Sequence, residues 1–237
     1  MATVYFVGDG SESQSFTPQP FEIVLNQFRN KDVLGVDTET NITRTINDRE
    51  LRVIAISWVN SDNDVDMAVI QFSTLNQYQI TSLAKVLKTK LCIAHNMAFD
   101  YQILKKYGIE LNKTYCTMNA EKVLLCGYSS ASMKYSLQSL YMRRFQIDLS
   151  KTEQLKFTED LPLTDSKIRY AALDTYKLHA IKDQQLSEAS KVDKELKHKG
   201  NKGLVKTIWW ENEYNKVIAD REYYGYHINK NKWHDIS

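Results

Sequence analysis

Two carboxylates separated by a single residue, Asp37 and Glu39, follow the short apolar run at 33–36. Such a run, ending in polar residues, suits a buried strand. On a strand, residues i and i+2 face the same way, so these two acids stand side by side. A second segment, His95-Asn96-Met97-Ala98-Phe99-Asp100, follows the apolar stretch at 91–94 and opens a helical pattern. It puts Asp100 in or near a first helical turn. A third, Tyr170-Ala171-Ala172-Leu173-Asp174, lies inside a helical pattern, where a spacing of four sets Tyr170 and Asp174 on one face. Each piece alone is ordinary, since strand-end acids are usually solvated and an acid in a first turn complements the helix dipole. Together, in this order, four carboxylates offer hard oxygen ligands of the kind Mg2+ or Mn2+ prefer. Two such ions roughly 3.5–4 Å apart can activate a water, polarise a phosphate and stabilise a leaving oxygen.

The elements that must position these groups follow from periodicity. Residues 4–7 read as a strand and 21–28 as a helix. The run at 33–36 is a strand, and 52–59 and 66–72 are β-rich with a turn at 60–64 between them, which together suggest a three-stranded meander. Helical spacing follows at 75–88, a short strand at 91–94, and a helix at 98–107 stopped by Gly108. From 119 to 141 the pattern is helical with breaks near 127–130, and 163–187 contains another long helix. The order implies an α/β fold, a mixed sheet flanked by helices. After about residue 190 the composition shifts: residues 191–206 hold six lysines and two acids around Gly200 and Gly203, an exposed helix end plus a linker. Residues 204–224 read as an amphipathic helix, with Val205, Ile208, Trp209, Val217 and Ile218 at helical spacing and Gly225 as its end.

The three motifs resemble those of the 3′→5′ exonucleases that carry four acidic residues and a tyrosine on a ribonuclease H-like fold. The likeness runs from about residue 33 to 181. Lys151 and the run Gln154-Leu155-Lys156-Phe157 resemble the proofreading domain of bacterial family A DNA polymerases. Glu213, Ala219, Glu222, Gly225, Ile228 and Asn229 are similar to the segment through which such polymerases leave that domain. The resemblance implies an exonuclease domain over 1–200 and, over 201–237, a C-terminal helical linker leading toward a polymerase domain. It implies two-metal hydrolysis of single-stranded or frayed DNA 3′ ends, such as a primer terminus, with release of nucleoside monophosphates. Asp37 is then expected to bridge two Mg2+ or Mn2+ ions, with Glu39 and Asp174 completing the water-activating site. Asp100 is expected to hold the second ion largely through water, and Tyr170 to orient the attacking water. An unperturbed tyrosine pKa of about 10 favours positioning over general-base work.

For substrate contacts, the resemblance offers Thr40 beside the terminal nucleotide and Phe157 as a base-stacking residue, with a core phenylalanine as the alternative for Phe157. Asn96 is a candidate hydrogen-bond partner of the terminal sugar or phosphate. Lys151, Arg143 and Arg144 are candidate phosphate contacts, set against a solvated basic face, while His95 is expected to pack locally.

The remaining composition sets bounds. The chain has 237 residues, a net charge of +2 and three cysteines, Cys92, Cys116 and Cys126, without metal-type spacing. Reduced thiols in a cytoplasm, a host cytoplasm for a viral chain, are the expected setting. No apolar stretch approaches the roughly 18 residues of a membrane span, so no membrane partner is expected. Two other functions compete: a free-standing exonuclease acting on RNA or repair intermediates, and a catalytically silent nucleic-acid-binding module. The intact set of four acids and tyrosine argues against the second.

Overall fold

The computed structural model describes residues 2–43, 45–127, 133–149, 157, 162–197 and 203–225. Six strands form one mixed sheet: β1 (Val4–Val7), β2 (Val33–Thr40), β3 (Leu51–Val59), β4 (Val65–Gln71), β5 (Leu91–Ala94) and β6 (Lys113–Cys116), in the order β1-β4-β3-β2-β5-β6. The expected meander is present, because β2 pairs antiparallel with β3 and β3 with β4. The outer pairings, β1 with β4, β2 with β5 and β5 with β6, are parallel. β2 runs four residues past its apolar core, because β3 pairs with it as far as Thr40. β6 has no counterpart in the sequence reading. Its four residues, Lys-Thr-Tyr-Cys, carry no clear alternation, and its parallel pairing with β5 defines it as a strand.

Alternation along the central strands sorts the core onto two faces. Leu34, Val36, Ile54, Ile56, Trp58, Ala68 and Ile70 pack with α1 (Phe21–Phe28), α2 (Gln77–Thr89) and α3 (Met97–Lys106). Val53, Ala55, Met67 and Val69 point the other way, against α6 (Asp165–Tyr176). Ile93 and Tyr115 continue that second face under α4 (Thr117–Leu124), α5 (Leu137–Phe145), α7 (Leu178–Glu195) and α8 (Leu204–Tyr224). The amphipathic helix expected at 204–224 is thus α8, ended by Gly225 at φ +68°. It docks onto α3, α4, α7 and β6. Gln102 of α3 donates to the Ala219 carbonyl and to Glu222, both at 3.0 Å, and Lys105 pairs with Asp220 at 2.6 Å.

The single long helix expected across 163–187 is two helices, α6 and α7, meeting at Lys177. Their junction lies close against the sheet at Gly35. A Cβ there would sit 2.2 Å from Ser57 Oγ and 3.4 Å from the Thr175 carbonyl, and Ser57 Oγ already donates to that carbonyl at 3.0 Å. Gly35→Ala is therefore expected to destabilise the protein by about 1–3 kcal/mol, the usual cost of overpacking. Thermal melting of the variant checks this, and an unchanged melting temperature would show that the junction yields freely.

Candidate active site

Because Leu34 and Val36 face α3, the alternate residues Gly35, Asp37 and Glu39 face α6, and there they meet Asp174. Ligand oxygens of Asp37, Glu39 and Asp174 all lie within 4.8 Å of one another. Asp100 arrives from the opposite face. Asn96 takes a left-handed conformation, φ 64° and ψ 45°, at the start of α3, which turns the chain sharply out of β5. Asparagine tolerates this region better than most residues. Asp100 follows in the first turn, 2% exposed, and its Oδ1 accepts from the Thr38 backbone N–H at 2.9 Å and the Thr38 hydroxyl at 2.8 Å. The middle residue of Asp37-Thr38-Glu39 thus fixes the fourth acid while its neighbours face the other way. Asp37, Glu39, Asp100, Tyr170 and Asp174 all line one cleft of about 430 Å³.

The electrostatics of this cluster are those of charges held against their preference. Burial, then the neighbouring carboxylates Asp100, Asp174 and Glu39, push Asp37 well above the ordinary carboxylate range. Glu39 is raised likewise, by burial and then by Asp174 and Asp100. Burial carries Asp100 up to about 7 despite the two opposing hydrogen bonds from Thr38. Tyr170 is also raised, chiefly by burial and by the charges of Asp174 and Glu39, and it bonds to Asp174. Its hydroxyl therefore keeps its proton at neutral pH.

A family model described as 3′-5′ exonuclease matches residues 15–188. The chain belongs to the 3′-5′ exonuclease family. The exonuclease is 26% identical over 171 residues to DNA polymerase I of Aquifex aeolicus, a match that covers 72% of this chain and 26% of that protein. It therefore spans about a quarter of that relative's length. Among solved structures, Brucella melitensis NrnC bound to pGG superposes with a TM-score of 0.68 at 18% identity, covering 95% of each chain. Escherichia coli RNase D, described as an exoribonuclease involved in structured RNA processing, gives 0.67 at 17% identity, over 100% of this chain and 54% of that one. The fold is ribonuclease H-like with C-terminal helices.

The donor set fits the family's two divalent metal ions. It is all oxygen, suited to Mg2+ or Mn2+, and its raised carboxylates are groups that a cation would return to the charged form. The exonuclease is accordingly a metal-dependent nuclease. Asp37, Glu39 and Asp174 form the tight cluster, while Asp100 stands outside that trio on the same cleft.

The expected substrate contacts divide. Asn96 is exposed and lines the cleft. His95 lines it too and bonds through Nδ1 to Thr117 Oγ1 at 3.0 Å. Thr40 is buried, and its hydroxyl accepts from Arg49, a cleft residue that sequence reasoning missed. Phe157 is 1% exposed and packs among Val53, Val69 and Ile168, its ring 6.2 Å from that of Tyr170. That placement corrects the stacking expectation in favour of its alternative, because a ring closed off by the sheet has no free face for a base. Arg143 and Arg144 also differ from expectation. Both pair with buried Glu121, at 3.2 and 2.6 Å, and Arg144 also with Glu188 at 2.8 Å, so their charge is already matched. Lys151 and residues 154–156 lie outside the described residues, as do Ile228 and Asn229.

Tyr141 is a further residue that sequence reasoning missed. In an unbroken helix the Lys177 N–H would bond to the Leu173 carbonyl. Instead the Tyr141 hydroxyl stands between them, donating to Leu173 O at 2.7 Å and accepting from Lys177 N at 3.0 Å. A side chain inserted into the ladder breaks a helix, and this one does so beside Asp174. Tyr141→Phe is expected to let the two backbone groups close on each other and so to turn the last turn of α6. The expected result is a loss of about 10- to 100-fold in activity or metal affinity, with a stability change of only about 1 kcal/mol. Rates measured across a Mg2+ titration, beside a melting curve, check it. A fall in melting temperature with unchanged Mg2+ dependence would leave Tyr141 a packing residue only.

Proposed function

We propose that the exonuclease removes nucleotides from single-stranded or frayed DNA 3′ ends and serves as the proofreading domain of a family A DNA polymerase. The observation that carries the catalytic part is the convergence of Asp37, Glu39 and Asp174 within 4.8 Å, with Asp100 and Tyr170 on the same cleft. The two divalent ions supply Lewis acidity to the scissile phosphate and to the attacking water. Asp37, Glu39 and Asp174 would hold these ions together with Asp100 on the same cleft. Tyr170, protonated, orients the water through its hydroxyl. Attack at phosphorus breaks the bond to the 3′ oxygen, which leaves as an alcohol, and the product is a nucleoside 5′-monophosphate.

The proofreading assignment draws support from the family match over 15–188, from the polymerase relative, and from the likeness of the 213–229 segment to a polymerase junction. Selection for errors then needs no reading of base identity, because a mismatched terminus frays more readily than a paired one. In this reading α8 leads toward the polymerase domain. A second reading, a free-standing exonuclease acting on RNA or short oligonucleotides, is favoured by the extent of the likeness to NrnC, which covers 95% of both chains. Matched DNA and RNA strands, and primers with paired or mismatched 3′ ends, separate the two. The proofreading reading expects DNA to be degraded at least as fast as RNA and mismatched ends faster than paired ones. A clear RNA preference would defeat it.

A further inference from the structure

We infer that Arg49 binds a backbone phosphate of the substrate strand adjacent to the scissile one. Among the described residues that line the acidic cleft, Arg49 is the only arginine or lysine. A strand entering this cleft brings a negative charge at every linkage. Ions held by the four acids would answer the charge of those acids and of the scissile phosphate, which leaves the next phosphate to a cation of the protein's own.

The guanidinium is held ready for that role. One of its nitrogens, Nη1, donates to the Thr40 hydroxyl at 3.2 Å, and its plane lies over the Phe99 ring, 5.1 Å from the centroid. Those contacts use one of five donors and fix the fork, and among the described residues no carboxylate pairs with it. Pre-organisation of this kind leaves little rotamer entropy to lose on binding a phosphate, which a guanidinium can grip in bidentate fashion.

The loop that carries Arg49 is tied to the catalytic helix. Lys106 of α3 donates to the carbonyls of Asn47 at 2.7 Å and Arg49 at 2.8 Å. The Glu50 N–H donates to Asn41 Oδ1 at 2.7 Å, and the Asn41 N–H to the Glu50 carbonyl at 3.2 Å, closing the loop at its base. Phe99, under the guanidinium, is the residue before Asp100. Arg49 and Asp100 are thus referenced to one helix, so a phosphate held by the first has a defined distance from the bond cut beside the second.

This inference rests on the exonuclease reading and deepens it. The test uses the full chain with Mg2+ and a short 5′-labelled single strand, together with variants of that strand in which one linkage at a time is a neutral methylphosphonate. Wild-type hydrolysis of the unmodified strand is measured first; its absence on both DNA and RNA would sink the exonuclease reading itself. Given hydrolysis, Arg49→Ala is expected to raise KM about 10- to 100-fold, the worth of a charged hydrogen bond, with kcat unchanged as for lost uniform binding. Arg49→Lys is expected to recover part of that loss. One neutral linkage should weaken wild type and have no further effect on Arg49→Ala. An unchanged KM would overturn the assignment. So would a KM rise to which every neutral linkage adds equally, since the arginine would then act through the shape of its loop. Matching melting temperatures of the variants guard the comparison.

Discussion

Asp37→Asn is expected to abolish hydrolysis of a 3′ end, lowering the rate by at least about 1000-fold, or about 4 kcal/mol of barrier, while the protein stays folded. Asparagine keeps the shape of the side chain and its place opposite Ala55 in the sheet, but a neutral amide would hold a divalent cation far more weakly than a carboxylate. The variant should also be more stable than wild type without metal at pH 8. Asp37 is pushed far above its ordinary range by burial and by Asp100, Asp174 and Glu39, so removing its charge relieves a repulsion that the folded chain otherwise endures. A labelled strand resolved on a gel measures the first effect, and melting in EDTA the second. Activity within tenfold of wild type would remove Asp37 from the centre of the mechanism.

The two outcomes show why the acids were legible beforehand. Asp37 and Glu39 sit on a strand whose apolar core is short and unambiguous, so period-two alternation alone puts them on one face. Asp100 and Asp174 sit on helices with clear starts, and local pattern again suffices. What failed to show in the sequence depends on contacts between distant segments. No glycine or proline marks Lys177, and the break there comes from a tyrosine more than thirty residues earlier. β6 is a strand by virtue of β5, since its own residues carry no clear alternation. Phe157 looked equally suited to stacking and to packing, and the sheet residues Val53 and Val69, far away in sequence, decide for packing. Arg143 and Arg144 read as free cations only because Glu121, their buried partner, stands on another helix. Thr38 was in plain view between the two acids, yet its role needed α3 to be placed before the hydroxyl had anything to hold.

The metal-free protein should lose stability as pH rises from about 5 to about 8, the reverse of what paired carboxylates produce. Asp37, Glu39 and Asp100 all have folded-state pKa values raised above those of an unfolded chain, near 4. The folded state therefore binds more protons than the unfolded state between these limits, and stability falls with increasing pH. The contribution of Asp100 is fully present below about pH 4 and is lost as pH climbs through about 7. His179 works against this. Burial lowers its pKa, so its share of stability is gained as pH rises toward the ordinary imidazole value, but among the described residues it is one group opposing three. Mg2+ should reverse the trend, because a cation among the acids favours their charged forms. At 100 times its dissociation constant a ligand stabilises by about 2.7 kcal/mol, which for a domain of this size is a rise of about 5–10 °C in melting temperature. The rise should be larger at pH 8 than at pH 5.5, where protons compete for the same oxygens. Melting curves in EDTA and in Mg2+ across this range measure it. A metal-free protein that grows steadily more stable up to pH 8, with no added gain from Mg2+, would mean that Asp37, Glu39 and Asp174, with Asp100 beside them on the cleft, do not repel one another as described above.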